Sequence, residues 1–472
     1  MAASLYVSPS QTPVESTHHI TTMHNRLFRN ILYHPSIHKP NEFFYYSQSS
    51  TTTIAALVHR HAPETLSEYQ GSNFSNDKRL NKFKRKLRPW SMDEFINSMD
   101  DPSKRKFYTS IKLGLEQGRT VSALITPFTK LEKMSTSKYR PPRLIQARHP
   151  SFNMAYGCYI KPLERSLKSD IHFGKGTYDQ IGAKISKLAR RYKYYTEGDH
   201  ITFDAHVTPE MLRLCHRFYA RCYQQDSGLL RLSRKTIRNR AISRNGERYS
   251  VNGTRMSGDV DTSLGNSLIN YYIIMEVIHR LGIDGDAIVN GDDFIIFTNS
   301  PIPTEPAKLL FRHYNMDTKL VASTDNIHHV EFCRTKLFYH PDDHPTMAFD
   351  YNRLINIYGA SYKLLPHKKY LLYLEAVQHA NYCINLNSPV HRQWRALPKL
   401  EDKLKKYLPQ NVVLELSKQS TNRVYKWDYL TPSFVEAFPN YRITSPKIIL
   451  YKPPPPQKHI IINHNIKEIS QL

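Results

Sequence analysis

At positions 287–297 the chain reads Ala-Ile-Val-Asn-Gly-Asp-Asp-Phe-Ile-Ile-Phe. Two short apolar runs flank four polar residues, a pattern that predicts a β-hairpin with an acidic pair, Asp292 and Asp293, in its turn. Two carboxylates so close together repel each other, and a divalent cation shared between them relieves that repulsion. Oxygen ligands of this kind suit magnesium or manganese, although Gly-Asp-Asp is also ordinary turn chemistry.

A second acidic cluster lies upstream of the hairpin. Tyr194-Tyr195-Thr196 predicts a strand that runs into Asp199, and Asp204 follows five residues later. If this strand and the hairpin share one sheet, the two clusters meet and could hold two metal ions, as phosphoryl-transfer sites require. Taken alone, Asp204 is also explained as a carboxylate at a helix N-terminus.

Between the two acidic clusters, residues 255–267 read Arg-Met-Ser-Gly-Asp-Val-Asp-Thr-Ser-Leu-Gly-Asn-Ser. Ser257 and Gly258 predict a mobile loop that opens a helix. Thr262 and Asn266 stand one turn apart on one face of that helix, where small polar groups can read sugar hydroxyls. The alternative is that the residues at this point only cap the helix.

Two helices are predicted around these polar positions. The first begins at Pro209 with Thr208 as its N-cap, and its apolar face includes Cys215 and Cys222, which are therefore predicted to be core residues rather than ligands. The second covers 262–281. It is predicted to be a buried helix rather than a membrane span, because polar and charged residues interrupt its apolar run.

Composition limits the classes to which the chain can belong. Its 472 residues include 66 Lys and Arg against 41 Asp and Glu, a net charge of +25 that indicates a polyanionic partner, either nucleic acid or an anionic membrane. Hydrophobic content of 40% excludes wholesale disorder. Five scattered cysteines exclude a disulfide scaffold and a zinc ribbon. No signal peptide and no transmembrane segment are predicted.

Two basic runs concentrate this charge. Residues 76–90 carry seven Lys and Arg against Asp77, and residues 231–248 carry seven against Glu247. Either run could be a solvated helix face, but two of them in a strongly basic chain favour a surface that faces phosphates.

The order of the polar motifs is specific: D-x4-D, then S-G-x3-T-x3-N, then an apolar hairpin with G-D-D. In this order the chain resembles the palm motifs A, B and C of viral RNA-dependent RNA polymerases. In detail, the sequence resembles the tombusvirus-like group of positive-strand RNA viruses. The similar segments are motif B at 255–266, motif F at 138–148, motif E at 330–333 and two fingers segments at 88–95 and 128–133. The resemblance covers roughly residues 85–340.

The resemblance implies roles for individual residues. Asp199, Asp292 and Asp293 would bind two Mg²⁺ ions, with Mn²⁺ able to replace them. Asp204 and Asn266 would recognise the ribose 2′-hydroxyl of the incoming nucleotide. The mobile loop and the start of its helix would be formed by Ser257, Gly258 and Thr262. The channel that holds the nucleotide triphosphate would be lined by Lys138, Arg140, Arg143 and Arg148. The motif D lysine would be Lys319. That lysine would donate a proton to pyrophosphate, unless it is an ordinary edge-strand lysine.

The implied fold class is α+β, a right-hand polymerase whose antiparallel palm sheet carries the active site. The predicted parts begin with an irregular N-terminal leader at 1–40 and fingers at 41–185, with an insertion at about 225–254. A palm with motifs A to E follows at 186–345, then a thumb at 346–450 and a Pro-rich C-terminal tail at 451–472.

The implied function is that of an RNA-dependent RNA polymerase, which replicates a viral genome by two-metal nucleotidyl transfer from NTPs to the RNA 3′ end. Its partners would be the RNA template and product, NTPs and a membrane-anchoring replication protein, at membrane-associated replication complexes in the host cytoplasm. Two alternatives stay open. Asp204 paired with Asn266 argues against a reverse transcriptase, and a non-catalytic RNA-binding or packaging protein would leave the ordered aspartates unexplained.

Overall fold

The chain folds into helices and mostly antiparallel sheets. The computed structural model describes residues 43–138, 140–362, 365–394 and 430–441, together with the backbone of short strands at 5–8, 19–26, 31–33, 449–450 and 460–465. The strands, in chain order, are β1 (Leu5–Ser8), β2 (His19–Arg26), β3 (Ile31–Tyr33), β4 (Phe43–Tyr46), β5 (Ile125–Thr129), β6 (Met134–Ser135), β7 (Leu144–Arg148), β8 (Tyr194–His200), β9 (Arg238–Ile242), β10 (Arg248–Asn252), β11 (Gly285–Asn290), β12 (Asp293–Thr298), β13 (Thr318–Leu320), β14 (Glu331–Phe332), β15 (Thr335–Tyr339), β16 (Pro345–Phe349), β17 (Ile449–Leu450) and β18 (Ile460–Asn465).

The described helices lie between groups of these strands. They are α1 (Ser50–Ala56), α2 (Met92–Asn97), α3 (Pro102–Glu116), α4 (Pro150–Leu167), α5 (Tyr178–Arg191), α6 (Phe203–His206), α7 (Pro209–Cys222), α8 (Ser227–Arg234), α9 (Thr262–Arg280), α10 (Thr304–His313), α11 (Tyr351–Ile357), α12 (His367–Ile384) and α13 (Pro432–Ala437). Short 3₁₀ turns occur at Gly71–Phe74, Asp77–Phe83, Ile327–His329 and Pro389–Gln393, and a π turn at Leu57–His61 extends α1.

The predicted hairpin is confirmed and forms two strands of a four-stranded sheet. The strand order is β11-β12-β8-β13, and all neighbours in it are antiparallel. Asn290 lies opposite Asp293, so the turn has only two residues, Gly291 and Asp292. Gly291 has a φ of 60°, a left-handed conformation that glycine adopts without strain. The apolar runs on both strands are buried, which explains why the hairpin is so regular.

Helices α7 and α9 cover this sheet and confirm both helix predictions. Thr208 caps α7 by accepting a hydrogen bond from the Met211 amide, and Pro209 occupies the first turn, where its missing N–H costs nothing. Cys215 and Cys222 are fully buried in the same apolar core, as predicted. In the described parts of the chain, no helix is both long enough and apolar enough to cross a bilayer.

A second, five-stranded sheet joins two separate stretches of the chain. Its order is β1-β10-β9-β5-β7, so the hairpin β9–β10, which belongs to the predicted insertion at about 225–254, lies beside strands from 125–148. Contact between β5 and β9 is parallel and pairs Ile125 with Ala241. Both of these side chains are buried, which places them on the same covered face of the sheet.

The C-terminal part of the described chain builds a smaller core. Strands β14, β15 and β16 form an antiparallel sheet that packs against α5, and α11, α12 and α13 surround an aromatic cluster around Phe338, Trp394 and Phe434. The described residues after 350, in the predicted thumb, are mostly helical. Residues 395–429 of the predicted thumb lie outside the described residues.

Two terminal predictions need correction. The predicted irregular leader at 1–40 contains strands β1, β2 and β3, and the predicted tail at 451–472 contains β18. Strand β2 pairs with both β18 and β4, so the two ends of the chain meet in one sheet. Local periodicity could not reveal this, because the hydrogen bonds that define such strands come from partners hundreds of residues away.

A partly buried charged cluster lies at the edge of the central sheet. The segment 172–174 extends that sheet through backbone hydrogen bonds with Val289, of 2.8 and 2.7 Å. His172 contacts Asp170 Oδ1 at 2.8 Å through Nδ1 and Asp286 Oδ2 at 2.9 Å through Nε2. Burial opposes protonation, but the hydrogen bonds to Asp170 and Asp286 outweigh it and raise the pKa of His172, even with Lys82 nearby.

We expect this cluster to make stability depend on pH. Because the folded pKa of His172 is raised, its contribution is fully present below the unfolded pKa of about 6.5 and is lost as the pH rises through the folded pKa. The free energy of unfolding, measured with urea, should therefore be lower near pH 9 than near pH 6, and His172→Gln should reduce this difference. His329→Gln, at an exposed position, is the control. Equal decline in wild type and His172→Gln would contradict this role.

Candidate active site

Three carboxylates meet at one edge of the central sheet. Asp199 is near the end of β8, Asp292 is in the hairpin turn and Asp293 begins β12. Gly198 pairs with Phe294, so Asp199 and Asp293 occupy the next positions of the same register. A Cβ atom on Gly198 would lie 2.7 Å from the carbonyl oxygen of Lys319, so only glycine permits this close approach of the strands.

The electrostatics of these carboxylates fit a divalent cation. Burial, together with the charges of Asp292 and Asp199, raises the pKa of Asp293 to about 6. Burial and the charge of Asp199 also raise the pKa of Asp292. A cation between them would remove this mutual repulsion. Within the described residues, no three His, Cys, Asp or Glu side chains form a ready-made metal cage. Mg²⁺ commonly uses only one or two carboxylates and completes its shell with water and substrate phosphates.

A neutral hydrogen-bond network that we did not predict holds the acidic turn in place. Asn270 donates from Nδ2 to the Gly291 carbonyl at 3.1 Å, so its Oδ1 faces His200 Nε2 at 2.9 Å. The other nitrogen of His200 contacts Thr318 Oγ1 at 2.8 Å, and Ser267 Oγ accepts from the Gly291 amide at 2.8 Å. Burial lowers the pKa of His200 to about 4, so the ring stays neutral.

One sequence signal could have revealed part of this network. Asn270 interrupts an apolar stretch of α9 and stands one turn beyond Asn266, on the same helix face. No comparable signal marks His200, because its role depends on strand β13 and helix α9 packing on either side of it.

A second network orients Asn266. Its Nδ2 donates to Asp204 Oδ1 at 2.6 Å, and its Oδ1 accepts from Arg255 Nε at 3.0 Å. Arg255 is almost fully buried and also donates to Asp261 Oδ2 at 3.0 Å. Burial raises the pKa of Asp204 to about 6, although the hydrogen bond from Asn266 favours the ionised form. The structure therefore brings together two predicted residues, Asp204 and Asn266, through an arginine that was not predicted.

The predicted loop at Ser257 and Gly258 is docked against β7. Ser257 Oγ donates to the Leu144 carbonyl at 3.0 Å, and the Gly258 amide donates to the Gln146 carbonyl at 3.2 Å. A Cβ atom on Gly258 would lie 2.7 Å from that same carbonyl oxygen, so this approach needs glycine. Thr262 Oγ1 donates back to the Met256 carbonyl at 2.8 Å and closes the loop.

Of the four predicted basic residues, Lys138, Arg140 and Arg143 are exposed, whereas Arg148 is buried. Arg143 donates from Nε to Glu132 Oε2 at 2.9 Å. The hydrogen bond to Glu132 raises the pKa of Arg143, and the charges of Asp292 and Asp204 add to that effect. Arg143 therefore lies within the field of the acidic site.

Arg148 requires a correction, because it does not line an open channel. Its side chain is only 1% exposed and donates to Asp259 at 2.7 and 3.1 Å. It also donates to Asn239 Oδ1 at 2.5 Å and to the Ala123 carbonyl at 3.1 Å. The reason is the alternation of β7, which turns Leu144, Gln146 and Arg148 toward the covered face of the sheet. Arg148 holds the loop that follows Ser257.

Lys319 and Cys333 complete the surroundings of the carboxylates. Lys319 is exposed on β13 directly opposite Asp199 on β8, so both side chains lie on one face of the sheet. Cys333 has a φ of 50° in the tight turn between β14 and β15, and its Sγ accepts from Asn290 Nδ2 at 3.4 Å. A hydrogen bond with Cys333 also acts to lower the pKa of Asp293.

Comparison with known proteins gives a consistent picture. Residues 50–424 match the family described as viral RNA dependent RNA polymerase. The RNA-directed RNA polymerase of Panicum mosaic virus is 28% identical over 285 residues, which cover 55% of this chain and 29% of that protein. Those of Groundnut rosette virus and Tomato bushy stunt virus are 29% and 32% identical over 54% and 44% of this chain. Each match spans less than a third of the relative's own length.

We expect the buried pair of Arg255 and Asp261 to dominate the stability of this region. Arg255→Met leaves the Asp261 carboxylate buried without its cation, which should cost about 3–5 kcal/mol in free energy of unfolding. Adding Asp261→Asn removes the stranded charge and should recover part of the loss. Urea unfolding of the two single variants and the double variant measures the coupling. A loss below about 1 kcal/mol in Arg255→Met would contradict the assignment.

Proposed function

Because this chain belongs to the viral RNA-dependent RNA polymerase family, we propose that it copies RNA into RNA, joining NTPs to the 3′ end of a growing strand. One observation carries the proposal: Asp199, Asp292 and Asp293 converge on adjacent strands, beside the paired Asp204 and Asn266. A non-catalytic RNA-binding protein would gain nothing from holding three repelling carboxylates together.

Polymerases of this family work with divalent metal ions. We propose two Mg²⁺ ions, with Mn²⁺ able to replace them, held by Asp199 and Asp292 with Asp293 beside them. Bound there, the ions would favour attack of the 3′-hydroxyl on the α-phosphorus and offset charge on the departing pyrophosphate. The network of His200, Asn270 and Gly291 would keep the carboxylates in place before any substrate arrives.

The paired Asp204 and Asn266 support selection of ribonucleotides. Arg255 occupies the Asn266 carbonyl, so the amide nitrogen faces Asp204. An amide hydrogen can donate to a 2′-hydroxyl, while the carboxylate oxygen beside it accepts from the same hydroxyl. A deoxynucleotide would leave these groups without that partner, which is costly in a site closed to water.

The basic residues support triphosphate binding and release. Lys138, Arg140 and Arg143 would contact the triphosphate, and Arg148 would hold the loop at Gly258 against β7 rather than touch substrate. Lys319, opposite Asp199, would give a proton to pyrophosphate.

The arrangement of the sheets supports a right-hand architecture. The central sheet and β14–β16 would form the palm at 186–345. The five-stranded sheet unites 41–185 with the insertion at about 225–254, as one fingers unit would require. The helices after 346 would form the thumb, up to about 450.

The partners would be RNA template, RNA product and NTPs. We place the protein in the host cytoplasm, at membrane-associated replication complexes, with a second protein as the membrane anchor. The net charge of +25 supports a polyanionic partner.

We expect Asp292→Asn and Asp199→Asn each to reduce synthesis by at least about a thousandfold, the scale of losing a group that acts only on the transition state. RNA binding should stay nearly unchanged, because a negatively charged carboxylate does not attract the phosphates of the RNA backbone. Nucleotide incorporation on a homopolymer template, with Mg²⁺ and with Mn²⁺, measures the first property, and fluorescence anisotropy measures the second.

Asp100→Asn, an exposed carboxylate remote in sequence from the three aspartates, is the matched control and should retain full synthesis. Wild-type incorporation of deoxynucleotides alone would support a reverse transcriptase. Synthesis retained in both site variants would remove the metal assignment.

We expect Asn266→Ala to narrow the preference for ATP over dATP. Loss of one neutral hydrogen bond to the 2′-hydroxyl costs about 1–3 kcal/mol, or roughly tenfold to a hundredfold in discrimination. Single-nucleotide incorporation kinetics give the ratio of kcat/KM for the two substrates, with the exposed Asn352→Ala as control. A ratio unchanged in both Asn266→Ala and Asp204→Asn would exclude these residues from sugar selection.

A further inference from the structure

The two basic runs of the chain are used in different ways. In the run at 76–90, arginines are paired within the protein: Arg79 with Glu276 at 3.2 Å, Arg85 with Asp170 at 4.0 Å and Arg88 with Glu94 at 3.1 Å. Lys82 also contacts Tyr271 OH at 2.5 Å. These arginines therefore tie the segment 76–90 to the residues packed around it, and contact of this run with phosphates stays a prediction.

The run at 231–248 has a different arrangement. On β9, exposed Arg238 and Arg240 alternate with buried Asn239 and Ala241, and Arg244 is exposed in the turn that leads to β10. Because successive side chains of a strand point to opposite faces, Arg238 and Arg240 share one face of the five-stranded sheet, and Arg244 lies at the end of the same hairpin.

That face is opposite the one that supports the candidate active site. On the covered face, Asn239 accepts from Arg148, and Arg148 holds Asp259 in the loop that follows Gly258. Arg238 and Arg240 point away from this loop. RNA bound to them would therefore lie outside the space above the three aspartates.

Within the described part of the chain, the positive charge on the outward face is not neutralised by carboxylates. Among the described residues, no carboxylate lies within ion-pair distance of Arg238, Arg240 or Arg244. The single acid of this run, Glu247, is fully buried and accepts a hydrogen bond from Ser243 instead of reaching an arginine. The field of these arginines is therefore directed into solvent.

An exposed aromatic ring lies on the same face. Ile125 of β5 pairs with Ala241 of β9, and both are buried, so Thr126 and Phe128 point outward with the arginines. Phe128 is 40% exposed. Guanidinium groups that bind phosphates and an aromatic ring on which a base can stack are the two features of sequence-tolerant surfaces for single-stranded nucleic acid.

We propose that this outer sheet face, formed by Arg238, Arg240, Arg244 and Phe128, binds single-stranded RNA through its phosphate backbone, outside the active site. Preference for RNA over other polyanions rests on the proposed polymerase function. Single strands are favoured because their unstacked bases can reach Phe128, which a duplex would not allow. The surface would hold template that has not yet reached the carboxylates or strand that has left them.

The test compares two triple variants of the full chain. Arg238→Gln/Arg240→Gln/Arg244→Gln removes three charges from the outer sheet face, and Lys104→Gln/Arg105→Gln/Lys106→Gln removes three exposed charges from α3. Anisotropy with an oligouridylate should show roughly tenfold or greater weakening for the first variant only. The slope of log K against log salt should become shallower by about 2, because each lost single-strand phosphate contact contributes about 0.7.

A second readout separates this surface from the active site. Extension of a self-primed RNA hairpin with a very short template overhang should proceed at the wild-type rate in the outer-face variant, whereas a long overhang should be used less well. Phe128→Ala should weaken oligouridylate binding without changing the salt slope, since stacking involves no counterion release.

Three outcomes would overturn the proposal. These are unchanged affinity and salt slope, an equal loss in the α3 variant, or lost binding to phosphatidylserine vesicles with RNA binding intact. The last would assign the face to an anionic membrane. If wild-type protein binds RNA through this face but extends no hairpin, the proposed polymerase function fails and the surface assignment stands.

Discussion

Like-charge repulsion at the tip of one hairpin is the constraint on which the rest of the candidate site depends. Asp292, Asp293 and Asp199 are held on adjacent strands, and burial together with the neighbouring aspartate charges raises the pKa of both Asp292 and Asp293. The protein opposes the repulsion with neutral groups. Asn270 and Ser267 bind the backbone of Gly291, and neutral His200 fixes Asn270. Neutral donors hold the turn without cancelling the negative charge of the carboxylates.

Two buried ion pairs fix the segment 255–261, and one of them connects it to the five-stranded sheet. Arg148 reaches Asp259 from β7, and Arg255 reaches Asp261 at the start of α9. Buried ion pairs contribute little net stability, but removing one partner leaves a charge in a medium that solvates it poorly. Such pairs therefore act mainly to specify one arrangement. Here that arrangement sets Asn266 against Asp204 and places the Gly258 backbone against β7.

The two basic runs of the chain differ in whether their arginines have carboxylate partners. Arg79, Arg85 and Arg88 each meet a carboxylate from a neighbouring segment, whereas no described carboxylate lies within ion-pair distance of the arginines of β9, although the two runs look alike in sequence. A count of basic residues cannot separate these cases. The difference lies in whether the fold brings a carboxylate to each guanidinium, which depends on packing between distant segments.

The sequence by itself determined the elements whose signals are local. The hairpin at 287–297 follows from two apolar runs around a glycine turn. Helix α7 follows from Thr208, Pro209 and an apolar face, and α9 follows from a long run of mostly apolar residues. It also identified the aspartates and Asn266 through their spacing. Only the tertiary structure decided the rest: the burial of Arg148, the roles of Arg255 and His200, and the strands at both chain ends. Each depends on a hydrogen bond or ion pair with a partner outside its own helix or strand, and local sequence periodicity holds no information on which distant group that partner will be.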